Sequence, residues 1–187
     1  MKVYNVIFIM LIIPVLAFSQ DMSKFDEYSL LIIKDHRFEV YAERNGEQVH
    51  KTTEEAHVMV NYVSGDFYCG VQQEDLQLLS DEEFPEDIER PERAYFQIEG
   101  VLPMEQILYN EASDQSYRVE LNLTIFDKVN PIVFDIHVKN YQQTNLGFRQ
   151  FLGSADLDSR DLGFTDFYGY KPEIKIVFSF QAYDRTR

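Results

Sequence analysis

Apolar and polar residues alternate along much of the chain with a period of two, which is typical of β-strands. The clearest run covers residues 117–125, where odd-numbered positions are apolar or aromatic and even-numbered positions are polar. Two further runs cover residues 132–139 and 174–182. Alternation this regular predicts an antiparallel sheet with one face in water and the other in the core.

Shorter candidate strands fill much of the remaining sequence. They cover residues 28–33, 37–43, 47–52, 57–63, 66–72, 94–99, 104–109 and 148–158. Asn45-Gly46 is a strong two-residue hairpin signal, because both residues tolerate a positive φ. Segment 80–93 breaks the pattern, and its two prolines predict a loop with a short helix that crosses between strands. About eight to ten strands without a helical layer indicate a barrel or a sandwich.

The first 19 residues have the pattern of a secretory signal peptide. Lys2 is followed by an apolar run of 11 residues and then by the small residues Ala17 and Ser19. A membrane-spanning helix needs about 20 apolar residues, so the run is too short for an anchor. We therefore expect cleavage before Gln20, a periplasmic or secreted location, no stable membrane insertion, and a single barrel domain over residues 20–187.

The composition of the chain bears on its partners, its core and its need for a disulfide. A formal net charge of −15 disfavours binding to nucleic acid or to an anionic membrane. Apolar residues make up 45% of the chain, which is enough to build a core. The single cysteine, Cys69, has apolar neighbours, which predicts a buried and inert thiol. The fold must therefore hold without a disulfide.

Side chains that could catalyse a reaction or bind a metal do not form a recognised pattern. The four histidines are His36, His50, His57 and His137. They fall in neither an HxH nor an HExxH pattern, so no metal site is predicted. Asp156 and Asp158 share a face of a predicted strand, as a glycosidase pair would, but 32 acidic residues produce such pairs by chance. No nucleophile elbow, P-loop or dinucleotide fingerprint occurs, and we expect neither an enzyme nor a cofactor.

Three stretches resemble the YceI-like family of exported lipid-binding proteins, in the divergent form found in Bacteroidetes-type sequences. Residues 87–100 resemble the family's charged loop and proline that lead into an aromatic strand ending in glycine. Residues 117–132 resemble its strand that reads Leu-Thr-Ile, then a turn, then Lys-Pro-Val. Residues 151–164 resemble a late strand with an Arg-Asp-Phe-Gly style ending. Phe126 and Leu162 depart from the family pattern: Phe126 begins the pair that replaces the usual His-Gly, so no role is carried over for that histidine.

The resemblance implies an antiparallel lipocalin-like barrel of about eight strands whose cavity holds an isoprenoid chain or a quinone tail. The side chains predicted to line it come from the dry faces of the strands: Phe96, Leu121, Leu123, Phe134, Phe151, Ile176 and Phe178. Two other functions remain open at this point. One is an interaction module with a fully packed core and no ligand, and the other is a hydrolase or isomerase that uses a carboxylate at the mouth of the barrel.

Overall fold

A computed structural model describes residues 29–76, 78, 96–110, 113–125, 128–143, 146–158, 160 and 169–183. The predicted signal peptide and crossover segment 80–93 lie outside these ranges. Within them the chain forms nine strands and two short helices: β1 (Ile32–Arg44), β2 (Glu47–Thr53), β3 (His57–Val60), β4 (Asp66–Val71), α1 (Gln73–Leu76), β5 (Phe96–Val101), α2 (Met104–Tyr109), β6 (Asp114–Ile125), β7 (Lys128–Gln143), β8 (Leu146–Asp158) and β9 (Tyr170–Tyr183).

The nine strands form one antiparallel sheet in the order β2-β1-β9-β8-β7-β6-β5-β4-β3. From β3 to β9 every strand pairs with its neighbour in sequence, which is the up-and-down arrangement of a meander. The exception is β1, which pairs with β2 on one side and with the last strand, β9, on the other.

The two ends of this strand order come back together at the start of β1. Leu30 forms an isolated antiparallel bridge with Asn61, and the Leu31 N–H donates to the Val60 carbonyl at 3.0 Å. These pairs continue the register that joins β1 to β2. β2 and β3 therefore act as one strand interrupted at residues 54–56, and the curled sheet matches the predicted lipocalin-like antiparallel barrel. The interruption is also why there are nine strands rather than about eight.

β1 is one long strand where the sequence pattern predicted two. Its ladder to β9 shifts register between Lys34 and Arg37, and Asp35 there has a positive φ of 47°. A bulge of this kind inserts a residue without ending the strand. A bulge changes whether odd-numbered or even-numbered positions face the core. The alternation therefore breaks at the bulge, and the strand resembles two short ones in the sequence.

Residues 104–109 were predicted as a strand, and that prediction is wrong because they form helix α2. Their apolar residues are Met104, Ile107 and Leu108, which is a helical spacing rather than an alternating one. The helix begins after Pro103 at its N-cap and buries Met104 and Ile107 against the core. In the ranges described, neither helix combines the length and apolarity needed to cross a bilayer.

The core occupies the inner face of the curled sheet. The alternation predicted for β6, β7 and β9 is confirmed, since the apolar positions of each strand point inward. On β9 the inward side chains are Ile174, Ile176, Phe178, Phe180 and Ala182, all of them buried. Full burial of an aliphatic or phenylalanine side chain contributes about 1.5–3 kcal/mol, so such faces account for much of the fold's stability.

Candidate ligand-binding interior

All seven side chains that were predicted to line a cavity point into the barrel. They are Phe96 on β5, Leu121 and Leu123 on β6, Phe134 on β7, Phe151 on β8, and Ile176 and Phe178 on β9. Each is at most 1% exposed, and all belong to one continuous core. The structure therefore gives them the inward orientation that lining a cavity requires, and their contact with a ligand stays a prediction.

Three of these residues belong to a phenylalanine cluster in the interior. The cluster consists of Phe67, Phe134, Phe151, Phe178 and Phe180. The Phe67 ring centroid lies 5.1 Å from that of Phe178 and 6.0 Å from that of Phe180. The Phe134 ring lies 5.7 Å from that of Phe178. The Phe151 ring stacks on that of Phe180 at 4.7 Å.

The phenylalanine cluster crosses the barrel rather than following one strand. Phe67 is on β4, whereas Phe178 and Phe180 are on β9, and these strands are not neighbours in the sheet. A second contact of this kind joins Phe38 on β1 to Phe96 on β5, at 5.8 Å between ring centroids. These rings occupy the space between opposite walls, so a hydrocarbon chain that enters the barrel must pass beside them or displace them.

Gly153 on β8 provides the space that the Phe178 ring occupies. The two residues are cross-strand partners. A Cβ atom at position 153 would overlap the Cζ atom of Phe178. The glycine therefore lets the ring lie against the backbone of the neighbouring strand, where it also reaches the rest of the phenylalanine cluster.

Phe38, Phe67 and Phe180 were not among the predicted lining residues, although the sequence carries a signal for each of them. Phe180 has the same parity as Phe178 in an alternating run, so it must share the inner face. Phe67 has the same parity as Cys69, which was predicted to be buried. Phe38 has the same parity as Val40 and Ala42 in the predicted strand 37–43, so it is expected on the inner face as well.

Cys69 is fully buried on the inner face of β4, as its apolar neighbours predicted. Burial in these surroundings raises the pKa of its thiol to about 12. The thiolate is therefore not formed at neutral pH, and the side chain behaves as a small apolar group.

The carboxylates considered for catalysis lie on the outer face of the barrel. Asp156 has Lys175 as its cross-strand partner. Asp158 accepts side-chain and backbone hydrogen bonds from Arg160, and these lower the pKa of its carboxyl group. A carboxyl group that acts as a general acid near neutral pH needs a raised pKa, so Asp158 has the opposite electrostatic environment.

Two of the histidines take part in polar networks on the outer face. His50 stacks on Tyr41, with 4.3 Å between ring centroids, and its Nε2 lies 2.8 Å from Oε2 of Glu39. The same oxygen accepts a hydrogen bond from the Tyr41 hydroxyl at 2.6 Å. Partial burial opposes ionisation of Glu39, but these hydrogen bonds outweigh it and lower the pKa of the carboxyl group. His137 shares a hydrogen bond of 2.9 Å with Ser116.

In the described part of the chain, no three His, Cys, Asp or Glu side chains come together in an arrangement that could hold a metal ion. Tight metal sites in proteins use three or four such ligands.

The fold is similar to that of a solved structure described as a polyisoprenoid binding domain from Saccharophagus degradans implicated in plant cell wall breakdown. The TM-score is 0.64, the sequence identity is 6%, and the match covers 83% of this chain and 98% of that domain. No protein-family model matches the sequence, and no curated protein matches it either. The comparison confirms the fold, and membership of the YceI-like family stays a prediction.

Proposed function

We propose that this protein binds a long apolar lipid, such as an isoprenoid or a quinone tail, inside its barrel and carries it in the cell envelope without transforming it. The observation that carries the proposal is the continuous apolar inner face of a lipocalin-like barrel, on which the predicted lining residues all lie. The fold-level likeness to a domain described as binding polyisoprenoid supports the same class of ligand.

The energetics favour a chain-like ligand. Each methylene group that leaves water for an apolar interior contributes about 0.8 kcal/mol, so affinity increases with chain length. The phenylalanine cluster fills part of the interior, and its rings would have to shift or leave a passage beside them. Binding would then rearrange side chains in the interior, whereas the backbone hydrogen bonds between neighbouring strands would stay intact.

The first experiment asks what the purified protein carries. We expect solvent extraction of protein isolated from its own host, followed by mass spectrometry, to yield an isoprenoid or quinone-like lipid. Protein from which the lipid has been removed should take up a polyprenol again. A correctly folded, delipidated protein that takes up no polyprenol or quinone would contradict the proposal. Sequencing of the exported protein should find Gln20 at its N-terminus, which tests the envelope location separately.

A pair of variants locates the site. Leu121→Trp adds volume on the inner face of β6, whereas Val133→Trp makes a similar change on the outer face of β7, where Val133 is 46% exposed. We expect Leu121→Trp to weaken polyprenol uptake by about tenfold or more, an effect of about 1.4 kcal/mol, and Val133→Trp to leave it unchanged. Circular dichroism should establish that both variants fold, and Leu121→Phe is the milder substitute if the first does not.

A second function is favoured by the phenylalanine cluster itself. Rings that contact each other across the barrel are also what a solid core contains, so an interaction module with an acidic surface is the alternative. Under that function, host-purified protein carries no lipid, and polyprenol leaves the melting temperature unchanged. Leu121→Trp would then destabilise the fold by overpacking it, without any ligand to exclude.

A further inference from the structure

A cleft of about 450 Å³ opens at the edge of the barrel wall beside β2. Its lining combines three apolar or aromatic side chains, Val49, Leu78 and Tyr170, with two cations, Arg44 and Lys51. Apolar and cationic side chains therefore meet in one cleft. A lining that combines the two matches the two parts of an amphiphile with an anionic head group.

Lys51 belongs to the inner face of the sheet. Its cross-strand partner is Val40, which is 1% exposed, and Val40 pairs in turn with Ile176. Directly opposite residues of antiparallel strands point to the same face, so the Lys51 stem projects toward the core. A charged group there is costly unless it is solvated or paired, and the long stem carries the ammonium group into the cleft.

Lys51 also differs from several cations on the outer face in that those cations form ion pairs. Lys171 pairs with Glu43 at 2.7 Å, and Arg37 pairs with Glu54 at 3.1 Å. Among the side chains that the structure describes, no carboxylate lies within 4.0 Å of the Lys51 ammonium group. The net charge of −15 repels anions from most of the surface. An inward cation with no carboxylate partner among the described residues is therefore a locally favourable position for an external anion.

Tyr170 forms another part of the cleft lining and fixes the position of Leu78. Its hydroxyl donates a buried hydrogen bond of 2.7 Å to the Leu78 carbonyl, which ties the segment after α1 to the start of β9. The Arg44 guanidinium lies 5.1 Å from the centre of the Tyr170 ring. Glu47 also lines the cleft, facing Arg44 as its cross-strand partner beside the hairpin turn. Among the residues that the structure describes, the charged side chains around the cleft are therefore two cations and one carboxylate.

We propose that this cleft binds the anionic head group, a phosphate or a carboxylate, of the lipid whose chain occupies the barrel. The inference rests on the proposed function, because the chain must be inside for its head to reach the cleft. Lys51 and Arg44 supply charge-assisted hydrogen bonds to the anion, and Val49, Leu78 and the Tyr170 ring contact the first carbons of the chain.

The test compares farnesyl monophosphate, farnesol and inorganic phosphate by isothermal titration calorimetry on delipidated protein at low ionic strength, where charge interactions are least screened. We expect farnesyl monophosphate to bind about tenfold or more tightly than farnesol, whose chain is the same. Inorganic phosphate should bind more weakly than farnesyl monophosphate, because it lacks the apolar part.

Lys51→Gln should lower the affinity for farnesyl monophosphate about tenfold and leave the affinity for farnesol unchanged. Lys139→Gln is the matched control, because it removes the same charge from an exposed position on β7. It should leave both affinities unchanged. Lys51→Arg keeps the charge and should preserve the preference for the phosphate, and it serves as the second variant if Lys51→Gln does not fold.

The outcomes separate this inference from the proposed function. Equal binding of farnesol and farnesyl monophosphate, unaffected by Lys51→Gln, overturns the head-group site and leaves lipid binding intact. Binding of neither farnesol nor farnesyl monophosphate overturns the proposed function together with this inference. Binding of inorganic phosphate as tight as that of farnesyl monophosphate also overturns the inference, since the chain would then contribute nothing.

Discussion

At the scale of single residues, packing of the interior depends on residues of complementary size that face each other on neighbouring strands. The Phe178 ring lies against Gly153, and from there it contacts Phe67 and Phe134. The alternation of β9 predicted that Phe178 points inward. It could not predict the partner that makes room for the ring, because cross-strand pairing depends on a register that one strand's pattern does not contain.

We predict that Gly153→Ala lowers the free energy of unfolding by about 1–3 kcal/mol, because the added methyl group displaces the Phe178 ring. Gly147→Ala on the same strand is the control. The nearest atom to its added methyl group would be the Tyr141 carbonyl oxygen at an ordinary 3.7 Å, so its effect should be much smaller. Urea unfolding of both variants measures the difference, and equal effects would contradict the packing described for Gly153.

At the scale of elements, the long alternating runs and several of the short ones were predicted correctly as strands, whereas residues 104–109 were not. β6, β7 and β9 each carry enough alternating positions to fix both the strand and its inner face. In α2 the spacing of Met104, Ile107 and Leu108 fits a helix, but one short turn of this spacing is a weak signal between predicted strands, and the burial of Met104 and Ile107 depends on tertiary packing. Lys51 was not predicted as a site residue: it has the parity of Val49, but an alternating pattern identifies the inner face by apolar residues and so does not mark an inward charge.

The bulge in β1 gives a prediction about this element. Asp35 has a φ of 47°, a left-handed conformation that Gly adopts freely, Asp tolerates and β-branched residues avoid. We expect Asp35→Gly to leave the melting temperature nearly unchanged and Asp35→Val to lower stability by about 1–2 kcal/mol. Thermal unfolding compares the two at one position. A similar result for both would mean that the bulge relaxes to accommodate a side chain.

At the scale of the whole molecule, charge and topology act together. The outer face carries ion pairs such as Arg118–Asp135, whose atoms lie 3.4 Å apart with both side chains mostly exposed. Exposed pairs contribute about 0–1 kcal/mol each. They do not offset a net charge of −15, so repulsion between carboxylates should dominate the electrostatics of the folded state.

Added salt should therefore stabilise the protein. We expect the melting temperature to rise by a few degrees between about 20 mM and about 500 mM NaCl at pH 7, because salt screens this repulsion. At about pH 4.5, where carboxylates begin to protonate, the gain should largely disappear. A melting temperature that falls with salt at pH 7 would mean that the ion pairs outweigh the repulsion.

The pairing of β1 with β9 has a consequence for biogenesis. Ile32 pairs with Tyr183, so the first described strand lies beside the last one. While the ribosome is still making the middle of the chain, β1 has no β9 to pair with, and the wall stays open along that seam. Such distant pairing slows folding and leaves unpaired strand edges open to aggregation. Closure of the barrel wall therefore waits for the synthesis of β9, and the nascent polypeptide depends until then on whatever shields its open strand edges.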